Sequence, residues 1–202
     1  MQPLSANDLH RALEELSEEL RTQGVKGHVY IVGGAAMALS FRASRSTYDL
    51  DAQIISDREP ILDAAKRIAI RHSWSPKWLN EEAVHLMPQL PDKDSLTLFN
   101  SENLIVTGAS PEFLLCMKMR SARQSNFADI ATLLSILDIH TPDQAFAIHD
   151  QVFPCQPLAD VGRNGLERII SDLLCDRKRA EIYGDKSASN TETPGAFQTE
   201  DH

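Results

Sequence analysis

Residues 28–55 read HVYIVGGAAMALSFRASRSTYDLDAQII, and their order decides the fold. The stretch opens on an apolar, β-rich run (Val29, Tyr30, Ile31, Val32) and turns at Gly33-Gly34. An Ala-rich segment over 35–41 predicts a short helix, and the basic pair Arg42 and Arg45 follows it. The stretch closes on Asp49-Leu50-Asp51 inside a second β-like run ending Gln53-Ile54-Ile55. In a strand, residues i and i+2 share a face, so Asp49 and Asp51 aim two carboxylates the same way. Like charges held together cost free energy unless a cation sits between them. For oxygen ligands the natural cation is magnesium, which takes one or two carboxylates plus substrate phosphates. Aspartate is depleted in strands, so a pair of them in an apolar run calls for such a reason. Gly33-Gly34 lets the backbone approach a phosphate, with the N–H groups of the next helix carrying the negative charge. A glycine pair alone would equally serve as an ordinary tight turn.

Working outward, 202 residues make one compact domain, or a core with a helical appendage. A hydrophobic fraction of 42% suffices for a core, and the mean hydropathy of -0.28 is that of a soluble protein. No run approaches a membrane span, and the first residues carry neither a basic nor an apolar leader, so a cytoplasmic protein without membrane partners is expected. Cys116, Cys155 and Cys175 lack metal-ligand spacing and read as incidental reduced thiols. The seven histidines show no paired spacing, which argues against zinc. The net charge of -9 argues against a broad nucleic-acid surface. Arg42, Arg45, Lys118, Arg120 and Arg123 nonetheless give the central segments local basicity.

Residues 5–23 predict an amphipathic helix capped by Ser5, with Leu9, Leu13, Leu16 and Leu20 on one stripe for the core and Gly24 at its end. A further helix is expected over 59–72. The segment 73–91 reads as loop with one short helix near 80–85, and 95–99 with 103–107 as a hairpin. Ser110-Pro111-Glu112 opens a helix running to about residue 123, and others are expected over 126–137, from Thr141 with Gln144 in a capping box, and over 164–183. The polar tail from 184 is expected to be disordered. The result is an α/β (α+β) architecture: a small mixed sheet flanked by helices in a core over 1–108, a helical part over 109–183, and the tail over 184–202.

Gly33-Gly34-Ala35 followed by Arg45-Ser46-Thr47-Tyr48-Asp49-Leu50-Asp51 resembles the nucleotidyltransferase fold of the DNA polymerase β superfamily, in particular the AbiEii-like toxin nucleotidyltransferases and their bacterial relatives. Trp78-Leu79-Asn80, the run 110–115 leading to Lys118, Arg123 and Ala128-Asp129-Ile130 extend the likeness over about residues 25–138. The resemblance implies a magnesium-dependent transfer of a nucleoside monophosphate from an NTP to a hydroxyl of a tRNA, a protein or a small molecule, with an antitoxin as partner if the protein is a toxin. It implies Asp49 and Asp51 as the metal-holding catalytic acids. Lys118 would act with them and contact the phosphates. Gly33, Gly34, Arg45, Ser46 and Arg123 would complete the nucleotide site. Arg45 has a reading of its own beside this: it precedes the acids closely enough to neutralise a phosphate, or it is a surface arginine. Asp129 would orient Lys118 or Arg123, or simply favour the start of its helix. The chain departs from the superfamily in two places. Ala35 stands where many members have serine, and the third carboxylate is not evident among Asp94, Glu102 and Glu112. Both departures favour the alternative reading, a catalytically degenerate module that binds a nucleotide or a partner without turnover.

Overall fold

The computed structural model describes residues 2–41, 45–121 and 123–184, with side chains in the last helix to residue 175. Arg42 and residues 185–202 of the expected disordered tail lie outside the described residues, and Gly184, expected to open that tail, ends the last helix. In chain order the elements are α1 (Ala6–Thr22), β1 (Gly27–Ile31), α2 (Gly33–Ser40), β2 (Leu50–Ser56), α3 (Arg58–His72), β3 (Leu79–Asn80), β4 (Leu96–Asn100), β5 (Leu104–Gly108), α4 (Pro111–Ser121), α5 (Phe127–Ile136), α6 (Pro142–Val152) and α7 (Asp160–Gly184). The strands form one mixed sheet in the order β3-β2-β1-β5-β4. β1 runs antiparallel to β2 and parallel to β5, β2 is parallel to β3, and β4 closes the edge antiparallel to β5. The small mixed sheet flanked by helices is the architecture that the sequence predicts.

Alternation buries Val29, Ile31, Leu50 and Ala52 on one face of the sheet, where α1 and α3 lie. The leucine stripe of α1 is core: Leu9, Leu13, Leu16 and Leu20 are fully buried. Ser5 and Asp8 close a reciprocal capping box at its start. Glu15 and Glu19 of α1 pair with Arg71 and Arg67 of α3 across the rim of the contact. His28, Tyr30, Asp51 and Gln53 belong to the opposite face. The remaining helices α4 to α7 pack on one another; the main apolar core runs from Leu9 through Leu115 to Ile169, and Cys116, Val152 and Phe153 form a small second cluster.

The expected helix over 80–85 is corrected by the structure. Leu79 and Asn80 are a strand, paired in parallel with Leu50 and Asp51, and only a 3-10 turn follows at Val84–Leu86. The cause is Trp78. Its indole is fully buried and its Nε1–H donates to the Ala65 carbonyl of α3 at 2.8 Å, which draws the next two residues against β2. Other boundaries also move: α2 begins at Gly33 itself, β2 begins at Leu50 and so leaves Asp49 just ahead of the strand rather than inside it, and α7 starts four residues early, at Asp160.

Candidate active site

The turn from β1 into α2 builds the first wall of the site. Gly33 has φ +69, a left-handed conformation in which any side chain is strained by about 1–2 kcal/mol. A Cβ there would also stand 3.3 Å from Asp51 Oδ2. At Gly34 a Cβ would come within 2.7 Å of Thr47 Oγ1 and 3.3 Å of an Arg45 guanidinium nitrogen. Thr47 cannot easily yield, because its backbone is paired in both directions with Leu4. Gly34 is therefore required by close approach, and Gly33 by its backbone conformation. The Val32 N–H donates to the Asp51 carbonyl at 2.9 Å, which fixes the start of α2 beside β2. Like α3 and α5, and unlike α1 and α6 with their complete capping boxes, α2 has no side-chain cap. Its start, which carries the positive end of the helix dipole, lies beside Asp51.

The carboxylates form the second wall. Burial raises the pKa of Asp49, with Glu82 adding to the effect while hydrogen bonding from Asn80 and the charge of Arg123 oppose it. Asp51 is pushed up to about 6, first by burial and then by the negative charges of Asp49 and Glu82. The two acids are thus short of positive charge. Asn80, placed opposite Asp51 by the β2–β3 register, contributes an amide to both of them. Glu82, rather than Asp94, Glu102 or Glu112, is the third carboxylate whose charge reaches the pair; it is itself exposed and bonded to Lys77 at 2.7 Å. Among the described residues no three carboxylate, histidine or cysteine side chains gather as a metal-holding cluster. The donor set still fits magnesium that completes its shell with water and substrate phosphates, since two electrostatically strained carboxylates are the hard-oxygen ligands it takes.

Behind these walls lies a buried ion cluster. Asp129 is fully buried in the first turn of α5. Its Oδ2 lies 2.8 Å from Lys118 Nζ and 2.9 Å from Arg45 Nη1, and its Oδ1 accepts from the same Arg45 nitrogen at 3.0 Å. Lys118 is only 6% exposed. The structure therefore places Lys118 on Asp129 within the helical layer and brings Arg45 to the edge of Gly34. Arg123 follows α4 and lends its charge to Asp49 and Asp51. Ser46 is exposed on the segment between Arg45 and Thr47. Sequence reasoning missed Asn80, Thr47 and Glu82 as parts of this site. The one available signal was the closeness of Asn80 to Trp78, and a two-residue strand leaves no periodicity to read.

Residues 7–150 match the family described as "Nucleotidyltransferase of unknown function (DUF6036)". A search of curated proteins finds no match. Among solved structures, an antigenic nucleotidyltransferase-like protein from Paracoccidioides brasiliensis aligns at 16% identity over 90% of this chain and 94% of that chain, with a TM-score of 0.36, a likeness too loose to argue from. With more than half of its length matched, and with the glycine turn and paired aspartates inside the matched region, the chain belongs to the DUF6036 family of nucleotidyltransferases.

Proposed function

We propose that the protein transfers a nucleoside monophosphate from an NTP to a hydroxyl acceptor. The observation that carries this reading is the pairing of Asp49 and Asp51 beside the uncapped start of α2. The amides of Gly33, Gly34 and Ala35 receive phosphate oxygens. Arg45, braced by Asp129, and Arg123 offset the charge that develops on the leaving pyrophosphate. Asp49 and Asp51 would hold magnesium, which when bound neutralises the triphosphate and polarises the phosphoryl group under attack. Lys118 acts through Asp129, fixing the carboxylate that positions Arg45. The toxin of a toxin–antitoxin pair, acting in the cytoplasm, is the finer form of this reading and rests on the AbiEii-like motifs alone.

One observation favours a second reading. Asn80, an amide, is what the neighbouring strand presents beside Asp51, so the chain would bind Mg·NTP without turning it over. Calorimetry and labelled transfer on wild type and Asn80→Asp separate the two. The transfer reading expects magnesium-dependent NTP binding and turnover in the wild type, both lost in Asp49→Ala/Asp51→Ala. Binding without transfer in the wild type, with transfer appearing in Asn80→Asp, would establish the degenerate module. No NTP binding in either protein rejects both.

A further inference from the structure

The face of the sheet that carries Asp51 continues beyond the carboxylates into a cavity that the nucleotide reading leaves unused. Asp51 and Gln53 are two residues apart on β2 and so share a face, roughly 6–7 Å apart along the strand. Gln53 lines a cavity of about 250 Å³ together with Tyr30 and His28 of β1 and Thr107 of β5. The register confirms one face, since Tyr30 lies opposite both Gln53 and Thr107. The roof is the segment after the 3-10 turn, which contributes Met87 and Pro91, and Phe113 of α4 closes the side.

The cavity has a defined polar wall. Asp92 is pinned over the sheet by the Tyr30 hydroxyl, which donates at 2.6 Å, and by the Ser110 N–H, which donates at 2.8 Å. Burial and this carboxylate together raise the Tyr30 pKa, so the phenol stays a donor. His28 Nε2 and Thr107 Oγ1 stand 3.3 Å apart on the floor. Opposite these polar groups, Ile55 is 51% exposed and Leu90 46% exposed, an apolar rim open to a ligand. Among the described residues no lysine or arginine lines the cavity. An RNA acceptor brings phosphates that require cations, whereas a carboxylate, a phenol and an imidazole beside apolar surface suit hydroxyls and amines on a compact ring.

We propose that this cavity, one strand step from Asp51, is the acceptor site, and that it takes a small neutral or cationic molecule bearing hydroxyl or amine groups. The inference rests on the nucleotidyl-transfer reading and assigns its acceptor. The acceptor hydroxyl attacks the α-phosphorus of the NTP, forming a new O–P bond as the bond to pyrophosphate breaks; the hydroxyl proton passes to solvent, and nothing is oxidised or reduced.

The test incubates the protein and magnesium with each radiolabelled NTP and a cell extract, then separates small molecules by filtration from RNA and protein. Label is expected in a small-molecule product that chromatography resolves from the NTP and its hydrolysis products, and that is missing with Asp49→Ala/Asp51→Ala. Gln53→Trp and Ile55→Trp, both at exposed positions, fill the cavity and should lower that transfer by at least about tenfold. NTP binding by calorimetry and the melting temperature should stay at wild-type values. Label entering RNA or protein, or transfer indifferent to both variants, overturns the assignment. So does a wild type that binds NTP yet labels nothing. A wild type that binds no NTP sinks the underlying transfer reading instead, and this one with it.

Discussion

Asp129→Ala is expected to lower stability by about 3–5 kcal/mol, because it strands a buried ammonium and a half-buried guanidinium without their shared carboxylate. For a chain of this size that is a fall in melting temperature of roughly 6–20 °C. The carboxylate lies in the first turn of α5, so its loss also removes a favourable charge at that helix start. Lys118→Met/Asp129→Leu should recover much of the loss, since replacing both members of a buried pair by apolar groups of similar volume is often near neutral. Urea melts of the two single variants and the double variant measure the coupling. A change below about 1 kcal/mol in Asp129→Ala, the size of an exposed ion pair, would mean the cluster is solvated. The double variant still loses the brace on Arg45, so its NTP affinity should remain weak even where its stability returns.

Asp51→Asn is expected to do the reverse to stability while destroying activity. The folded-state pKa of Asp51 lies above its unfolded value of about 3.9. Between roughly pH 4 and 6 the folded protein therefore binds more protons than the unfolded chain, and stability falls as pH rises through that window. At neutral pH the folded protein carries the full cost of a part-buried charge beside Asp49 and Glu82. Neutralising it should raise stability by about 1–2 kcal/mol after allowance for partial exposure, or roughly 2–8 °C. Magnesium with NTP should stabilise the wild type and do nothing for the variant. Transfer should drop by at least about 10³, the scale of removing several kcal/mol of metal-borne charge stabilisation. Melts at pH 4.5 and 7.5, each about a unit and a half from the titration midpoint of about 6, should show the advantage of the variant shrinking at the acid end. A variant less stable than the wild type at neutral pH would show that Asp51 is held by attraction rather than strained by repulsion.

Much of the scaffold could be read from local rules because local rules decide it. The leucine stripe of α1, its Ser5–Asp8 box and the Thr141–Gln144 box are set by residues three or four apart. The glycine turn is likewise legible, since chain geometry alone places it, whereas of the two aspartates only Asp51 falls in β2. The rest depends on partners distant in sequence. Asn80 reaches Asp51 only because Trp78 is anchored on α3. The meeting of Arg45, Lys118 and Asp129 joins a loop and two helices across 84 residues between Arg45 and Asp129. A lysine on a helix reads as solvated surface, and nothing in the run 111–121 reveals that Lys118 lies beneath it. The cavity beside Gln53 is hidden for the same reason, being assembled from β1, β2, β5, the strap over the sheet and α4.

The most direct test of the account is magnesium-dependent transfer of label from each α-labelled NTP in cell extract, with wild type and Asp49→Ala/Asp51→Ala run side by side. The account predicts a labelled product with the wild type, none with the double variant, and none with either protein when magnesium is chelated. Equal labelling by both proteins, or a wild type that neither binds nor transfers any NTP, would contradict it.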